Sequence, residues 1–244
     1  MSDRRLELPP PALTFLQQGG RDLPLALACA GSWRPVGPVR LSDASGRSLG
    51  LGLVDSENDR LRVMVGPDEP FDALDAAFFA ARVETALERR RRLELVGRDR
   101  AFRLLNGAGD GVPGLVADVY AGFAVLHVYG RALLPCARQL ASVLIGGAEL
   151  HGVVLKLRAR GAAARGEVAQ ELHGAPPPER LVVREGELRF ETHLLGGLNV
   201  GLFTDMREHR ARLGRWRPAG GPPSTASRTR ARCRSPAPAA APAR

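Results

Sequence analysis

The sequence predicts an α+β protein in which a small β-barrel precedes a domain of mixed helices and strands. Residues 36–65 contain three short apolar segments separated by turn sequences, a pattern typical of a small barrel or half-barrel. Residues 71–92 then carry apolar side chains at helical spacing, and residues 101–200 alternate between strand-like and helix-like segments. With 244 residues, the chain is long enough to bury a substantial core.

The barrel portion is expected over residues 36–68. Its turns fall at Asp43–Gly46 and Asp55–Asp59, where turn-forming residues are concentrated. The segment before it, residues 1–35, has no clear pattern, because the apolar stretch LPLALACAG is short enough to suit either a buried strand or a helix.

The central α+β domain is expected over residues 71–180. Asp72 or Asp75 can cap the start of its first helix, and the run Arg89–Arg92 at the other end suits the helix dipole. This run either faces solvent or binds phosphate. The pattern then predicts two strands around a turn, a helix, a further strand and a loop over residues 159–179. The helix is expected to bury three leucines, Leu133, Leu140 and Leu144.

Residues 181–215 predict a β-hairpin about the Glu185–Gly186 turn and then a last helix. Asp205 can cap this helix, and Glu208 three positions later completes a box-like start. Residues 216–244 are rich in Arg, Pro and Ala and predict a disordered tail.

The charge of the chain is concentrated in this tail. A formal net charge of +9 would ordinarily suggest a polyanionic partner. Residues 217–244 contain six arginines and no acidic residue, so removing them leaves a net charge of +3. The rest of the protein is therefore mildly basic, which permits nucleic-acid binding without requiring it.

The chain has three cysteines, Cys29, Cys136 and Cys233, which are odd in number and far apart. They match neither a disulfide framework nor a metal cluster, so we expect a reducing compartment and no metal site. No apolar run reaches the ~18 residues of a membrane helix, and the N-terminal sequence lacks a signal-peptide core. We therefore expect a cytoplasmic protein without a membrane partner.

Two motifs carry more specific information. Residues 102–120 have the sequence FRLLNGAGDGVPGLVADVY, and residues 201–214 have the sequence GLFTDMREHRARLG. Both resemble segments of the PUA-domain-containing, S-adenosylmethionine (SAM)-dependent 23S rRNA methyltransferases that make 5-methylcytosine. Ala108 stands where that family usually has Glu, and Leu198–Val200 replaces a Gln-Lys-Thr. The residues that carry the first motif are Arg103, Asn106, Gly107, Gly109, Asp110, Gly111, Pro113, Gly114, Asp118 and Tyr120.

The resemblance covers roughly residues 36–215. It implies a PUA-like β-barrel, an α+β central domain, SAM as the cofactor and rRNA as the partner. A PUA-like barrel contacts RNA through shape and backbone, with arginines supplying phosphate contacts. The candidates for these RNA contacts are Arg40, Arg47, Arg60 and Arg62. The candidates for the rim of the cofactor site are Asp205, Arg207 and Arg210 of the second motif.

In the family that the chain resembles, a Rossmann-like methyltransferase domain with a glycine turn should begin shortly after Gly214. Residues 216–244 encode no such turn, so we expect that domain to be essentially missing. We therefore expect the truncated chain to be inactive and unable to bind SAM. The codons that residues 224–233 imply permit the family's strand and glycine turn when shifted by one base. This pattern indicates a frameshift near Arg215–Trp216.

Two other functions stay open. The chain can be a non-catalytic RNA-binding module with a basic tail that adds salt-sensitive affinity. It can also be an unrelated interaction protein whose motif matches are fortuitous. No catalytic residue is assigned, because the thiolate that such enzymes use to attack cytosine C6 lies in the cofactor domain of the family. Cys136 lies on the apolar face of a predicted helix, where it fills the core.

Overall fold

The computed structural model describes residues 4–29, 36–158, 170–185, 188–197, 199–215 and 233–234. Within these ranges it contains thirteen strands and five helices. The strands are β1 Arg5–Glu7, β2 Asp22–Pro24, β3 Gly37–Ser42, β4 Ser48–Asp55, β5 Arg60–Val65, β6 Ala101–Asn106, β7 Leu115–Tyr120, β8 Phe123–Val128, β9 Gly152–Leu157, β10 Gln170–Gly174, β11 Leu181–Glu185, β12 Leu188–Thr192 and β13 Cys233–Arg234. The helices are α1 Pro10–Gln17, α2 Leu25–Ala28, α3 Ala76–Arg92, α4 Leu134–Gly147 and α5 Arg207–Arg215.

The N-terminal strands form a five-stranded sheet in the order β1-β3-β4-β5-β2. β1 pairs with β3 in parallel, and the other neighbours are antiparallel. One face packs against α1 and α2 through a cluster that includes Leu8, Leu25 and Leu61. Among the described strands, β1 and β2 form the two edges of this sheet. The described strands thus form a five-stranded sheet that includes the segment where a barrel portion was predicted.

The segment before residue 36 supplies the two outer strands of this sheet. The LPLALACAG stretch divides between β2 and α2 instead of forming one element. α1 was not expected from the sequence, although prolines at its first turn are compatible with a helix start, where the N–H groups have no partner within the helix. The three strands predicted after residue 36 are confirmed as β3, β4 and β5.

The opposite face of β4 and β5 packs against the central part of the chain. Leu51, Leu53 and Met64 belong to the same buried cluster as Phe78 and Phe79 of α3. This contact removes large apolar side chains of both elements from water, which stabilises their association. The N-terminal sheet and the central elements therefore share one core.

α3 begins at one of the two predicted caps. The side chain of Asp75 accepts a hydrogen bond from the backbone N–H of Phe78 at 3.0 Å, and Asp72 lies outside the helix. The run Arg89–Arg92 occupies the last turn, as predicted. Within the described part of the chain, no helix is long and apolar enough to cross a membrane.

The central sheet has the order β10-β9-β8-β7-β6. β8 and β9 are parallel and are joined by α4, so the three elements form a β-α-β unit. α4 buries Leu140 and Leu144 as predicted, whereas the buried Leu133 lies in the 3₁₀ turn directly before the helix. The predicted loop over residues 159–179 is wrong in part, because Gln170–Gly174 forms β10, which pairs with β9.

Side chains of the central sheet alternate between its two faces. On one face, Leu115, Ala117 and Val119 belong to the cluster that contains the buried side chains of α3 and α4. On the other face, Tyr120 and Val125 pack against the hairpin β11–β12 and the segment that follows it. The second motif thus approaches the sheet from the face opposite to the helices.

The tail prediction falls mostly outside the described residues. Cys233–Arg234 is described, and it forms β13, which pairs with β12 in a three-stranded sheet. The expectation of a disordered tail over residues 216–244 is therefore wrong for these two positions. The backbone N–H and C=O groups of β12 offer the pairing that the tail composition did not reveal.

Candidate functional site

The first motif forms β6, a 3₁₀ turn at Gly107–Asp110, and β7. Gly111 and Gly114 adopt left-handed φ angles of 74° and 81°. A Cβ atom on Gly111 would lie 2.9 Å from Arg82 Nε, and one on Gly114 would lie 2.5 Å from Arg62 Nη1. Both positions require glycine, because of the backbone conformation and because arginines pack closely against them.

Asp110 joins this turn to the end of α3. Its carboxylate accepts hydrogen bonds from Arg90 at 2.8 and 2.6 Å, from Arg89 at 3.2 Å and from the backbone N–H of Asn106 at 2.7 Å. Burial alone would raise the pKa of Asp110, but the hydrogen bonds from Arg90 and Asn106 hold it below its ordinary value. Arg90 is thus bound within the fold, with a side-chain exposure of 12%, whereas Arg89 stays 55% exposed although it also pairs with Asp110.

Asp118 joins the two motifs. Arg103 Nε and Nη2 donate to its two carboxylate oxygens at 2.9 and 3.1 Å, and Thr204 Oγ1 donates at 2.8 Å. The hydrogen bond to Asp118 raises the pKa of Arg103 despite burial. Nearby, the Tyr120 hydroxyl donates to the carbonyl oxygen of Leu202 at 3.1 Å, and burial raises the pKa of Tyr120. These contacts hold the second motif against the central sheet.

Glu185 of β11 binds two arginines of the second motif. Arg207 Nε lies 3.2 Å from one carboxylate oxygen, and Arg210 donates to both oxygens at 2.7 and 2.9 Å. Asp205 is exposed and lies in the 3₁₀ turn Thr204–Met206, directly before α5. The three predicted rim residues therefore lie together, but both arginines are already paired with the hairpin.

A cleft of about 440 Å³ opens where the two motifs meet, and we call it the motif cleft. It contains four arginines and two aspartates, and Asp118 and Glu185 pair with two of these arginines. It also contains three apolar side chains. The lining residues are Arg89, Arg90, Leu93, Leu95, Phe102, Arg103, Asn106, Gly109, Asp110, Thr204, Asp205 and Arg207.

The charge of the motif cleft suits a phosphate-bearing ligand better than SAM. SAM carries a positive sulfonium, which an arginine-rich lining repels, whereas guanidinium groups match phosphate in charge and geometry. Asp110 already accepts from Arg89, Arg90 and Asn106. The exposed parts of Arg89 and Arg103 are therefore placed to meet an anionic group.

A second cleft, of about 600 Å³, lies between the N-terminal sheet and the first motif, and we call it the junction cleft. Two of its lining residues are arginines that the sequence marked as RNA contacts. The lining also includes Tyr129, the residue that follows β8. Its lining residues are Asp22, Asn58, Arg60, Arg62, Gly107, Ala108, Gly114, Val116 and Tyr129.

The four predicted RNA contacts differ in their surroundings. The Arg62 side chain is 5% exposed and pairs with Asp55 at 2.9 Å, so it holds the N-terminal sheet in place. Arg60 is half-buried and lines the junction cleft. Arg40 and Arg47 are exposed and line neither cleft.

Two buried polar side chains on the face of the central sheet that bears Asp118 were not predicted from the sequence. Lys156 is fully buried, and its Nζ donates to the carbonyl oxygen of Gly197 at 2.7 Å. Burial and the charge of Arg158 lower the pKa of Lys156 to about 8. Burial and the same arginine lower the pKa of His127 to about 3. The available signal was a lysine within the otherwise apolar strand sequence GVVLKL.

The described cysteine side chains lie away from both clefts. Cys136 is buried on α4, as expected, and burial raises the pKa of its thiol to about 11. Cys29 is half-buried against the N-terminal cluster. No group of three metal-binding side chains occurs within the described residues.

Solved structures of methyltransferases share this fold. A candidate SAM-dependent methyltransferase from Streptococcus mutans superposes with a TM-score of 0.73 at 20% sequence identity, covering 86% of this chain and 54% of that protein. A second candidate methyltransferase, solved as a complex with SAH, also gives a TM-score of 0.73 and covers 86% of this chain. At 20% identity, this likeness shows a shared fold.

Curated proteins similar to this chain are named ribosomal RNA large subunit methyltransferases. The chain is 35% identical over 179 residues to a ribosomal RNA large subunit methyltransferase from Deinococcus radiodurans, covering 70% of this chain and 44% of that protein. It is 26% identical over 186 residues to ribosomal RNA large subunit methyltransferase I from Cronobacter sakazakii, covering 74% of this chain and 46% of the relative. The chain thus spans about half the length of the curated relatives it matches. No protein-family model matches the chain.

These comparisons correct the predicted fold class. We expected the Rossmann-like methyltransferase domain to be essentially missing, but 86% of the chain superposes on SAM-dependent methyltransferases. The physical reason lies in the central sheet, where α4 joins the neighbouring parallel strands β8 and β9, a connection that Rossmann-like folds use. The apolar pattern of a buried strand does not distinguish parallel from antiparallel pairing, so this unit was assigned to a separate α+β domain.

Proposed function

We propose that this chain acts in the SAM-dependent methylation of large-subunit ribosomal RNA. The names of the curated relatives support the reaction and the substrate class. The observation that carries the proposal is the contact of both motifs with one buried carboxylate, Asp118, beside an arginine-rich cleft. The chain spans about half of each relative. We therefore propose the methylation activity for the whole protein and RNA contact for the residues that the structure describes.

The motif cleft supplies the RNA contact in this proposal. Arg89 is 55% exposed and Arg103 is 34% exposed, so each has donors available to phosphate while Asp110 or Asp118 holds its position. Phosphate contacts from arginine release counterions, which makes the affinity fall with salt. The geometry therefore favours an arginine surface that is fixed before RNA arrives.

Within this function, we propose cytosine C5 of 23S rRNA as the target and a PUA-like role for the N-terminal sheet. Methyl transfer to C5 requires a thiolate that attacks C6 and a base that has left its stack. Cys136 is unsuited to this role, because its thiol is buried and its pKa is about 11. The described residues contribute RNA binding and positioning, and SAM, when bound, supplies the methyl group.

The test is to delete the gene for this chain and to map 5-methylcytosine in 23S rRNA by bisulfite sequencing. We expect one methylated cytosine to be lost and to return when the gene is restored. A methylation map that is identical with and without the gene would contradict the proposed reaction.

A second candidate is a non-catalytic RNA-binding protein. The charge of the motif cleft favours it, since four arginines suit phosphate better than a cationic methyl donor. Isothermal titration of the purified chain with SAM separates the two candidates. SAM binding supports the methyltransferase, whereas salt-dependent binding of 23S rRNA fragments without SAM binding supports the second candidate.

A further inference from the structure

One face of the central sheet presents a strip of side chains at the ends of four neighbouring strands. Asn106 of β6 lies opposite Val116 of β7 in the register. Tyr129 follows β8, and its backbone N–H bonds to the carbonyl oxygen of Gly114. Arg158 follows β9, and its N–H bonds to the carbonyl oxygen of Val128. We call Asn106, Val116, Tyr129 and Arg158 the stacking strip.

Alternation places the members of the strip on the face that bears Asp118. Val116 lies two residues before Asp118, and Asn106 is its register partner. Tyr129 and Arg158 lie two residues after His127 and Lys156, which are themselves register partners. Each member of the strip is exposed or half-buried. The strip therefore links the motif cleft, which Asn106 lines, to the junction cleft, which Tyr129 lines.

Tyr129 gives the strip an aromatic surface on a fixed backbone. Its side chain is 41% exposed, and the guanidinium carbon of Arg158 lies 5.9 Å from the ring centroid. Its carbonyl oxygen accepts from Arg62 at 2.7 Å and from Asn58 at 3.3 Å. An aromatic ring beside an arginine is the combination on which unpaired nucleic-acid bases stack.

The charges around the strip suit a polyanion. Arg60 lines the junction cleft, Arg103 is 34% exposed beside Asn106, and Arg158 contacts the ring of Tyr129. After burial, the charges of Arg158, Lys156 and Arg103 lower the pKa of His127. In the junction cleft, Asp22 is paired with Arg62 at 3.1 Å.

We propose that the stacking strip and the junction cleft bind single-stranded RNA, with an unpaired base stacked on Tyr129 and a phosphate bound by Arg60. This proposal rests on the proposed role in RNA methylation and specifies the form of RNA. A duplex keeps its base faces stacked on each other, so it cannot use the ring in the same way. The junction cleft, at about 600 Å³, has the size of a typical small-ligand site.

The test measures fluorescence anisotropy of a short labelled single-stranded RNA, and of a hairpin duplex, with the full chain. Tyr129→Leu removes the ring, and we expect it to weaken single-strand binding about 5- to 100-fold, as the loss of one stacked base predicts, with little effect on the duplex. Tyr129→Phe keeps the ring and should bind as the wild type does. Arg60→Gln should reduce the salt slope by ~0.7. Arg138→Gln, an exposed arginine on α4, is the matched charge control.

Folding of each variant is checked by circular dichroism, and 4-thiouridine crosslinking provides a second measurement. We expect the crosslink on the peptide that contains Tyr129. Wild-type affinity in Tyr129→Leu, or equal losses in the Leu and Phe variants, would overturn the proposal. If Arg89→Gln alone abolishes RNA binding, the strip is refuted while the proposed function stands. If the wild-type chain binds no RNA, both fail.

Discussion

Replacing Asp118 with Asn tests whether the two motifs depend on one carboxylate. Asp118 is 4% exposed and accepts from Arg103 and Thr204, which lies 86 residues further along the chain. Asn has nearly the same shape but lacks the negative charge and offers one acceptor oxygen in place of two. The substitution therefore weakens the contact between the motifs without opening a cavity.

The expected loss can be worked from these contacts. Hydrogen bonds to charged groups contribute ~1.5–3 kcal/mol each, and breaking a buried ion pair costs ~3–5 kcal/mol. The Arg103 side chain is 34% exposed, so water replaces part of what it loses. We expect Asp118→Asn to lower the free energy of unfolding by ~3 kcal/mol. Thr204→Val removes one hydrogen bond and should cost ~1.5 kcal/mol.

Urea unfolding of the wild type, the two single variants and the double variant completes the measurement. Because both residues share one contact, the double variant should lose ~1 kcal/mol less than the sum of the single variants. Asp99→Asn is the matched control, since Asp99 is 55% exposed and pairs with Arg184 at the surface, where the loss should stay below ~0.5 kcal/mol. A loss below ~0.5 kcal/mol in Asp118→Asn, with additive variants, would refute the coupling.

Three further predictions concern buried charges and a glycine. Despite burial, hydrogen bonds from Arg82 and Arg21 lower the pKa of Glu69 from 4.5 to about 2. Its contribution to the free energy of unfolding is therefore present above pH 4.5 and is lost as the pH falls toward 2. Glu69→Gln should remove this acid-dependent loss from thermal melts. Burial lowers the pKa of Lys156 from 10.5 to about 8, so the unfolded chain holds the extra proton and stability should rise between these pH values. Lys156→Met should abolish this rise in urea unfolding at pH 7–10. Gly114→Ala should lower the free energy of unfolding by ~3 kcal/mol, because Gly114 has a positive φ and lies against Arg62. Gly146→Ala should raise the free energy of unfolding by up to ~1 kcal/mol, because Gly146 faces open space on α4.

Local signals were sufficient to predict many individual elements. β3, β4 and β5 follow from apolar runs with turns between them, and α3 begins at Asp75, whose side chain caps it. α4 buries the leucines that its spacing indicated. These features depend on residues within a few positions of one another, so the sequence contains their causes.

Strand pairing could not be predicted in the same way. The edge strands β1 and β2 come from a segment without a clear pattern, so their places beside β3 and β5 could not be predicted. The parallel pairing of β8 and β9 depends on the path of α4, and missing it led to the wrong fold class. Both features join segments far apart in sequence, where periodicity carries no information about partners.

In the candidate site, too, single residues could be predicted from the sequence, but their distant partners could not. Asp110 and Asp118 belong to the motif string, but their partners Arg90 and Thr204 come from α3 and from the second motif. Arg62 was expected to bind RNA because it lies in the segment that resembles a PUA-like barrel, in which arginines contact phosphate. Its burial against Asp55 depends on the packing of the N-terminal sheet against the first motif, which a single strand sequence does not contain.

The polar face of the central sheet explains how the second motif is held in one register. An apolar segment could pack there in several registers, because apolar contacts are not directional. Thr204 must instead meet Asp118, the carbonyl oxygen of Leu202 must meet Tyr120, and the carbonyl oxygen of Gly197 must meet Lys156. A shift of one residue would leave buried donors and acceptors unpaired, each at a cost of ~1–3 kcal/mol. We infer that these polar partners fix the segment that brings Asp205 and Arg207 to the motif cleft, so the buried charges contribute specificity of position more than stability.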